Sequence, residues 1–279
     1  MGSPPRCASG CGVAPFAAVL AFIPYWPQPV WHLGPVVVQA WDIFVALGFL
    51  SGTWTAVRLA ERDGRDPDVL LGYAPWALLV GFVFAHLVHV TLYEPERLAR
   101  DPWWILQFWN GVSSHGGFLG AAISLPIYFR LRRARVWDYA DAMAVGMAVG
   151  WGVARVGCFL AHDHMGRLTS FPLAVAFPDG PRHDLGLEEA LLTLPLAAAA
   201  WRLYLRRPPP GTVTAFVVGI YAVYRFFLEF LRATDLPRSD RRYAGLTPAQ
   251  YGCFLLLAFA LYAAMRARRA RKEASGPSA

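Results

Sequence analysis

Long apolar stretches alternate along this chain with short segments rich in charge or proline. Seven of them meet or approach the roughly 20 residues a helix needs to cross a bilayer: 36–57, 70–93, 111–129, 136–161, 187–205, 211–231 and 247–265. Charge or proline bounds them, as at Arg58–Asp68, Glu94–Asp101, Arg130–Arg135 and Arg206–Pro210. Trp103, Trp104, Trp109, Trp137 and Tyr243 fall at stretch ends, where amphipathic rings sit at headgroup depth. In the fourth stretch Ala142, Gly146, Gly150 and Ala154 recur every four residues, a spacing that lets a second helix backbone approach closely. The pattern predicts an all-α polytopic membrane protein with about seven transmembrane helices. Val13–Trp26 is too short and too proline-broken to span, so residues 1–21 read as an interfacial or poorly ordered N-terminal segment. Ala8–Cys11 superficially resembles a lipoprotein cleavage box, but no hydrophobic run precedes it.

Composition agrees. The 279 residues are 56% hydrophobic and 16% charged, against roughly 45–50% and about 25% for soluble chains. The net charge of +7 rests on 26 basic residues, of which only Lys272 is lysine. The loops after spans one, three and five and the C-terminal tail hold more of them than the opposite loops, which predicts an outside N-terminus and a cytoplasmic C-terminus. The surplus is therefore read as membrane topology, and no nucleic-acid partner is expected. Cys7, Cys11, Cys158 and Cys253 form no CxxC pair, which weakens metal-ribbon and disulfide-framework readings.

Charges inside spans are costly and mark function. Under this orientation Asp42, His86, His89, His115, Arg155, Glu188, Glu189, Arg225, Glu229 and Arg232 all fall in the outer half. Asp138 and Asp141 are the exceptions, at the inner start of span four, where the helix dipole accounts for them. Arg225, Glu229 and Arg232, spaced i, i+4, i+7, share one helix stripe. A carboxylate one turn away partly neutralises the arginine and fixes its fork for a phosphate; a plain helix-stabilising ion pair is the structural alternative. Between Arg155 and Thr169, two arginines, two histidines and Asp163 crowd a membrane exit, with Gly157 and Gly166 permitting a turn and close backbone approach. His115-Gly116-Gly117 would let a headgroup or another helix come close to an imidazole. His162, Asp163, His164 and His183 are metal-ligand types, but the block lacks an i, i+4 histidine pair and no metal is expected.

From about Phe22 to Arg266 the sequence resembles the prolipoprotein diacylglyceryl transferase family. The resemblance lies in Gly34-Pro35 before span one and Leu47-Gly-Phe-Leu50 within it, then in His115-Gly-Gly-Phe-Leu-Gly120. It continues in Arg155-x-Gly-x-Phe159 with Gly166-Arg167-x-Thr169, in Arg225-Phe-Phe-Leu-Glu229-Phe-Leu-Arg232-x-x-Asp235, and in Gly245-Leu-Thr-Pro-Ala-Gln250. It implies a bacterial inner-membrane, multi-pass enzyme with its site toward the outer leaflet. Such an enzyme moves the diacylglyceryl group of phosphatidylglycerol to the lipobox cysteine of a prolipoprotein signal peptide and releases glycerol phosphate. Under it, Arg155 and Arg225 bind the phosphate, Glu189 and Glu229 orient them, and His115 is the base. Gly116, Gly117, Gly157, Asp163, Gly166, Arg167 and Arg232 join the substrate site, and no metal or diffusible cofactor is needed. The resemblance also implies a transferase domain over 22–266 and a basic cytoplasmic tail over 267–279.

The chain departs from the family pattern at Cys158 and Ala161, where asparagine is usual, and at Asp163, where glutamate is usual. His183-Asp-Leu-Gly-Leu-Glu-Glu189 keeps only His183, Leu187 and Glu189 of the family's stretch, and Gln39-Ala-Trp-Asp42 replaces its Arg-Trp-Tyr-Gly. Two alternatives follow: a divergent paralogue acting on another lipid or acceptor, and a non-catalytic lipid-binding membrane protein.

Overall fold

In a computed structural model, residues 23–109, 111–236 and 242–274 are described, so the expected N-terminal segment 1–21 lies outside the described residues. The main helices are α1 (Ala40–Arg62), α2 (Asp68–Val88), α4 (Ser114–Leu131), α5 (Val136–Ala161), α6 (Leu185–Leu205), α7 (Thr212–Leu228) and α8 (Pro248–Ala274), with a short α3 (Pro95–Arg100). Five segments are long and apolar enough to cross a membrane: Ala40–Arg62, Asp68–Tyr93, Val136–Ala161, Thr212–Leu231 and Pro248–Glu273. The expected spans three and five correspond to α4, whose apolar part is the shorter Gly116–Leu131, and to α6, which carries Glu188, Glu189 and Arg202. Many large side chains on these helices face outward, among them Leu50, Trp54, Leu79, Phe82, Phe118 and Leu255. A soluble protein would bury such faces; lipid makes burial unnecessary.

The expected close helix approach occurs between α1 and α5. A Cβ on Gly48 would lie 2.5 Å from the Gly150 carbonyl oxygen, and one on Gly52 would lie 2.7 Å from that of Gly146. The two backbones therefore touch directly, without side chains between them. A core of Leu59, Val145, Leu196, Ala200, Val213 and Val217 then joins α5 to α6 and α7.

Asp141 ties α7 into this assembly. Its carboxylate accepts from Gly211 N (2.8 Å), Thr214 N (2.8 Å) and Thr214 Oγ1 (2.6 Å). Gly211 precedes the helix at φ 93° with no capping side chain, so α5 supplies the acceptor for the first turn of α7. Asp141 thus caps another helix as well as standing at the start of its own.

The all-α expectation needs correction, because two small sheets are present. An antiparallel pair, β2 (Val30–Leu33) and β3 (Val36–Gln39), leads into α1. Val36–Gln39 is therefore strand, and the first helix starts four residues later than the pattern placed it. Alternating side chains on a half-exposed β-branched run suit a hairpin, while the apolar run itself carries no helix signal. The second sheet has the order β1-β5-β6-β4, from β1 (Ile23–Pro24), β5 (Val175–Phe177), β6 (Gly180–Asp184) and β4 (Met165–Leu168). Three of its four strands make up the α5–α6 connection itself, between Ala161 and Leu185.

Candidate active site

Three helices deliver the cluster. Arg155 ends α5, Glu189 begins α6 and Arg225 ends α7, with Glu229 in the 3-10 turn Glu229–Leu231 that follows. Arg155 Nε lies 3.1 Å from Glu189 Oε1, and Arg225 Nη1 lies 3.9 Å from the other oxygen of the same carboxylate. Arg225 Nη1 is also 2.8 Å from Glu229 Oε2, and Arg232 Nε is 2.8 Å from Glu229 Oε1. Arg155, Arg225, Glu189 and Glu229 are all buried. Two carboxylates thus alternate with three guanidinium groups, so the chain meets the demand that a buried charge be paired. Trp151 Nε1 (2.8 Å) and Tyr221 OH (3.1 Å) donate to Glu189 Oε1 and hold it in place.

Arg232 does not stand on the helix stripe its spacing suggested. The α-helix stops at Leu228, and Arg232 is extended at φ −62°, ψ 140°. It pairs with Gly166 in an isolated bridge, and Ala233 N donates to Met165 O at 3.4 Å. The chain leaves the helix to pair with β4, which competes with continued helix. The contact to Glu229 survives because the 3-10 turn keeps i and i+3 side chains on one side.

The stretch between Arg155 and Thr169 surrounds the Arg155 side chain. Nη1 donates to Cys158 Sγ (3.4 Å) and to His164 Nε2 (3.1 Å), and the guanidinium carbon sits 4.5 Å from the Trp151 ring centroid. Nη2 has no partner among the described residues. His164 Nδ1 lies 2.6 Å from Asp163 Oδ1. The turn that sets this up is made by His162 at φ 50°, not by the glycines. Gly157 and Gly166 provide close approach instead: added Cβ atoms would lie 2.6 Å from Phe44 Cβ and from His183 Cβ, respectively. His162 is locked to Asp184 (Nδ1 to Oδ2, 2.7 Å) and ringed by Tyr25, Trp26, Phe159 and Phe177. Burial raises the Asp184 carboxyl above its ordinary range, against the opposing pull of His162. Ligand atoms of Cys158, Asp163 and His164 lie within 4.8 Å of one another. The Arg155 guanidinium stands against two of the three, so the set cradles an arginine rather than a metal ion.

Sequence reasoning missed Arg182. It is 3% exposed, and Nη2 donates to Asp179 Oδ2 (2.7 Å) and Asp235 Oδ2 (2.6 Å), while Nη1 donates to Asp235 Oδ1 (3.1 Å) and Gly166 O (3.1 Å). It pins β6, β4 and the segment after α7 together, beside the Gly166–Arg232 bridge. Its hydrogen bonds hold both aspartates below the usual carboxylate range. Asp235 at the end of the span-six motif was the available signal. Arg167 is exposed on β4 and has no partner among the described residues.

His115 lies in the first turn of α4. Gly116 packs that turn on α2, since its Cβ would lie 2.5 Å from the Phe84 carbonyl oxygen, whereas Gly117 is less closely approached. The same turn faces the cluster through Phe118, whose ring centroid is 5.9 Å from that of Trp151. The His115 side chain itself lies outside the described residues. His86 Nδ1 donates to Gly111 O (3.1 Å) and the ring packs on Phe108, an anchor for the loop before α4.

The family model for prolipoprotein diacylglyceryl transferase matches residues 28–266. A protein of Chromohalobacter salexigens named phosphatidylglycerol--prolipoprotein diacylglyceryl transferase is 34% identical over 211 residues, 73% of this chain and 78% of the relative. Its namesake in Nitratidesulfovibrio vulgaris is 31% identical over 88% of this chain and 95% of the relative. A third, from Pasteurella multocida, is 30% identical over 76% of this chain and 81% of the relative.

Proposed function

This chain belongs to the prolipoprotein diacylglyceryl transferase family, and from that premise we propose that it transfers the diacylglyceryl group of phosphatidylglycerol to the lipobox cysteine thiol of prolipoprotein signal peptides, releasing glycerol phosphate. The observation that carries this reading is the buried bridge of Glu189 between Arg155 and Arg225. In the reaction the thiol sulfur attacks the terminal glyceryl carbon, a C–S bond forms, and the C–O bond breaks with its electron pair on the phosphate. The phosphate thereby gains a second negative charge. Arg155 and Arg225, already fixed by carboxylates, offer it donors without reorganisation. Glu189 and Glu229 orient the guanidinium groups and keep them compatible with a lipid-enclosed site. The acceptor thiol needs a base, since a free thiol titrates near about 8.5; His115 takes that role. Asp163, Arg167 and Arg232 border the headgroup, and Gly116, Gly117, Gly157 and Gly166 keep the surrounding backbones close.

The protein sits in the bacterial inner membrane with seven spans, α4 and α6 completing the five apolar helices. The arginine distribution supports an outside N-terminus, a cytoplasmic C-terminus and a site toward the outer leaflet, where both substrates are reached. Residues 22–266 form the transferase domain and 267–279 a basic tail against anionic lipid. The test is purified protein in phosphatidylglycerol vesicles with a lipobox peptide. Thioether-linked product is expected; none, with an established family member active alongside, refutes the reading.

A further inference from the structure

His164 and Asp163 form a dyad that the reaction as written does not use. Leu185 N donates to His164 O at 3.0 Å and fixes the backbone, while Asp163 holds Nδ1. Nε2 faces the Nη1 donor of Arg155, so it carries the lone pair and Nδ1 carries the proton toward Asp163. The other charged or titratable groups facing this imidazole are Cys158, across the same Nη1, and Glu189, behind Arg155. The imidazole is a quarter exposed (25%) and can exchange protons with water, unlike the arginine it touches at 8%.

Building on the transferase reading, we propose that His164, oriented by Asp163, donates a proton to the phosphate leaving group held at Arg155. An anionic phosphate that takes the Nη1 donor releases Nε2 to face the same anion, and a proton on Nε2 then donates to it while Nδ1 stays bonded to Asp163. As the C–O bond breaks, the phosphate oxygen takes the electron pair, and the Nε2 proton passes to the phosphate. Glycerol phosphate leaves as the singly charged monoester. The thiol proton goes to the base, and water resets both imidazoles, so the net transfer is from thiol to phosphate. The second ionisation of phosphate monoesters, near about 6, matches that of ordinary imidazoles, near about 6.5, which is the favourable condition for general acid catalysis. Acid and base are thus separate groups.

The experiment measures turnover against pH for the full-length protein in vesicles, with wild type, His164→Gln and Asp163→Asn, each checked for a native thermal transition. Glutamine still accepts from Nη1, so it preserves a merely arginine-holding role. Expected for His164→Gln is a kcat loss of about 10²-fold, with KM little changed and the alkaline limb of the profile gone. Asp163→Asn should lower kcat less than His164→Gln, because the imidazole stays but loses the carboxylate that orients it. A diacylglyceryl sulfate donor, whose leaving group needs no proton, should be turned over equally by wild type and His164→Gln. The inference is overturned if His164→Gln keeps kcat within about threefold and the wild-type profile, or is equally impaired with the sulfate donor. Absence of thioether product from wild type with either donor defeats the transferase reading itself, and the inference with it.

Discussion

Arg155 Nε lies 3.1 Å from Glu189 Oε1, and these side chains are 8% and 0% exposed. The same carboxylate faces Arg225, so one glutamate separates two like charges that a lipid-surrounded site could not otherwise hold. Glu189→Gln keeps an acceptor for Trp151 and Tyr221 but removes the charge. Breaking a buried pair from one side costs about 3–5 kcal/mol. A markedly lower thermal midpoint in detergent and loss of lipid transfer are expected together; an unchanged midpoint would show that the arginines are not held by this charge.

Arg155→Lys and Arg225→Lys test the fork rather than the charge. An ammonium cannot reach Glu189 while also contacting Cys158 and His164, as the Arg155 guanidinium does. Each lysine variant should lose about 10²-fold or more in kcat, the usual effect of removing one preorganised donor. Near-normal turnover in the lysine variants would reduce the site to a simple positive potential.

Five apolar spans and the polar cluster were legible in the sequence for one physical reason. Charge inside an apolar stretch is expensive, so Arg155, Glu189, Arg225 and Glu229 stood out by residue type within such stretches. The small-residue repeat in α5 was equally direct, because close backbone approach demands small side chains. What the sequence hid depends on partners far along the chain. Nothing near Asp141 announces that it caps α7, since the donors it accepts from lie some seventy residues away. The short strands around Arg182 have too few residues for a period to register, and Arg232 leaves its helix because β4 offers it a backbone partner. His162, a non-glycine residue at positive φ, is held there by Asp184 and an aromatic ring of neighbours rather than by its own preference.

Arg182 gives the small sheet a pH dependence. Its hydrogen bonds depress the carboxyls of Asp179 and Asp235. A group whose folded pKa is lowered stabilises the fold above its unfolded pKa, about 4 for aspartate, and loses that contribution as pH falls through the folded value. Both carboxylates are about half exposed, so the effect is screened. Thermal midpoints should therefore hold from pH 7 to 5 and fall below about pH 4. Arg182→Met should start lower and show a shallower acid decline. An identical acid slope in the variant would remove Arg182 as the cause.

The capping of α7 by Asp141 separates folding from chemistry. Asp141 and Arg155 lie on the same helix fourteen positions apart, roughly 21 Å along its axis at about 1.5 Å per residue. Losing the carboxylate leaves the Gly211 and Thr214 amides without acceptors where α7 begins, and cap removal costs about 0.5–2 kcal/mol. Asp141→Ala should lower the thermal midpoint by a few degrees while kcat stays near wild type at temperatures where the protein remains folded. Asp141→Asn keeps one acceptor and should fall between the two. A large drop in kcat for Asp141→Ala at an unchanged midpoint would mean that α7 transmits strain to Arg225. Its first turn would then be part of the site and not only its support.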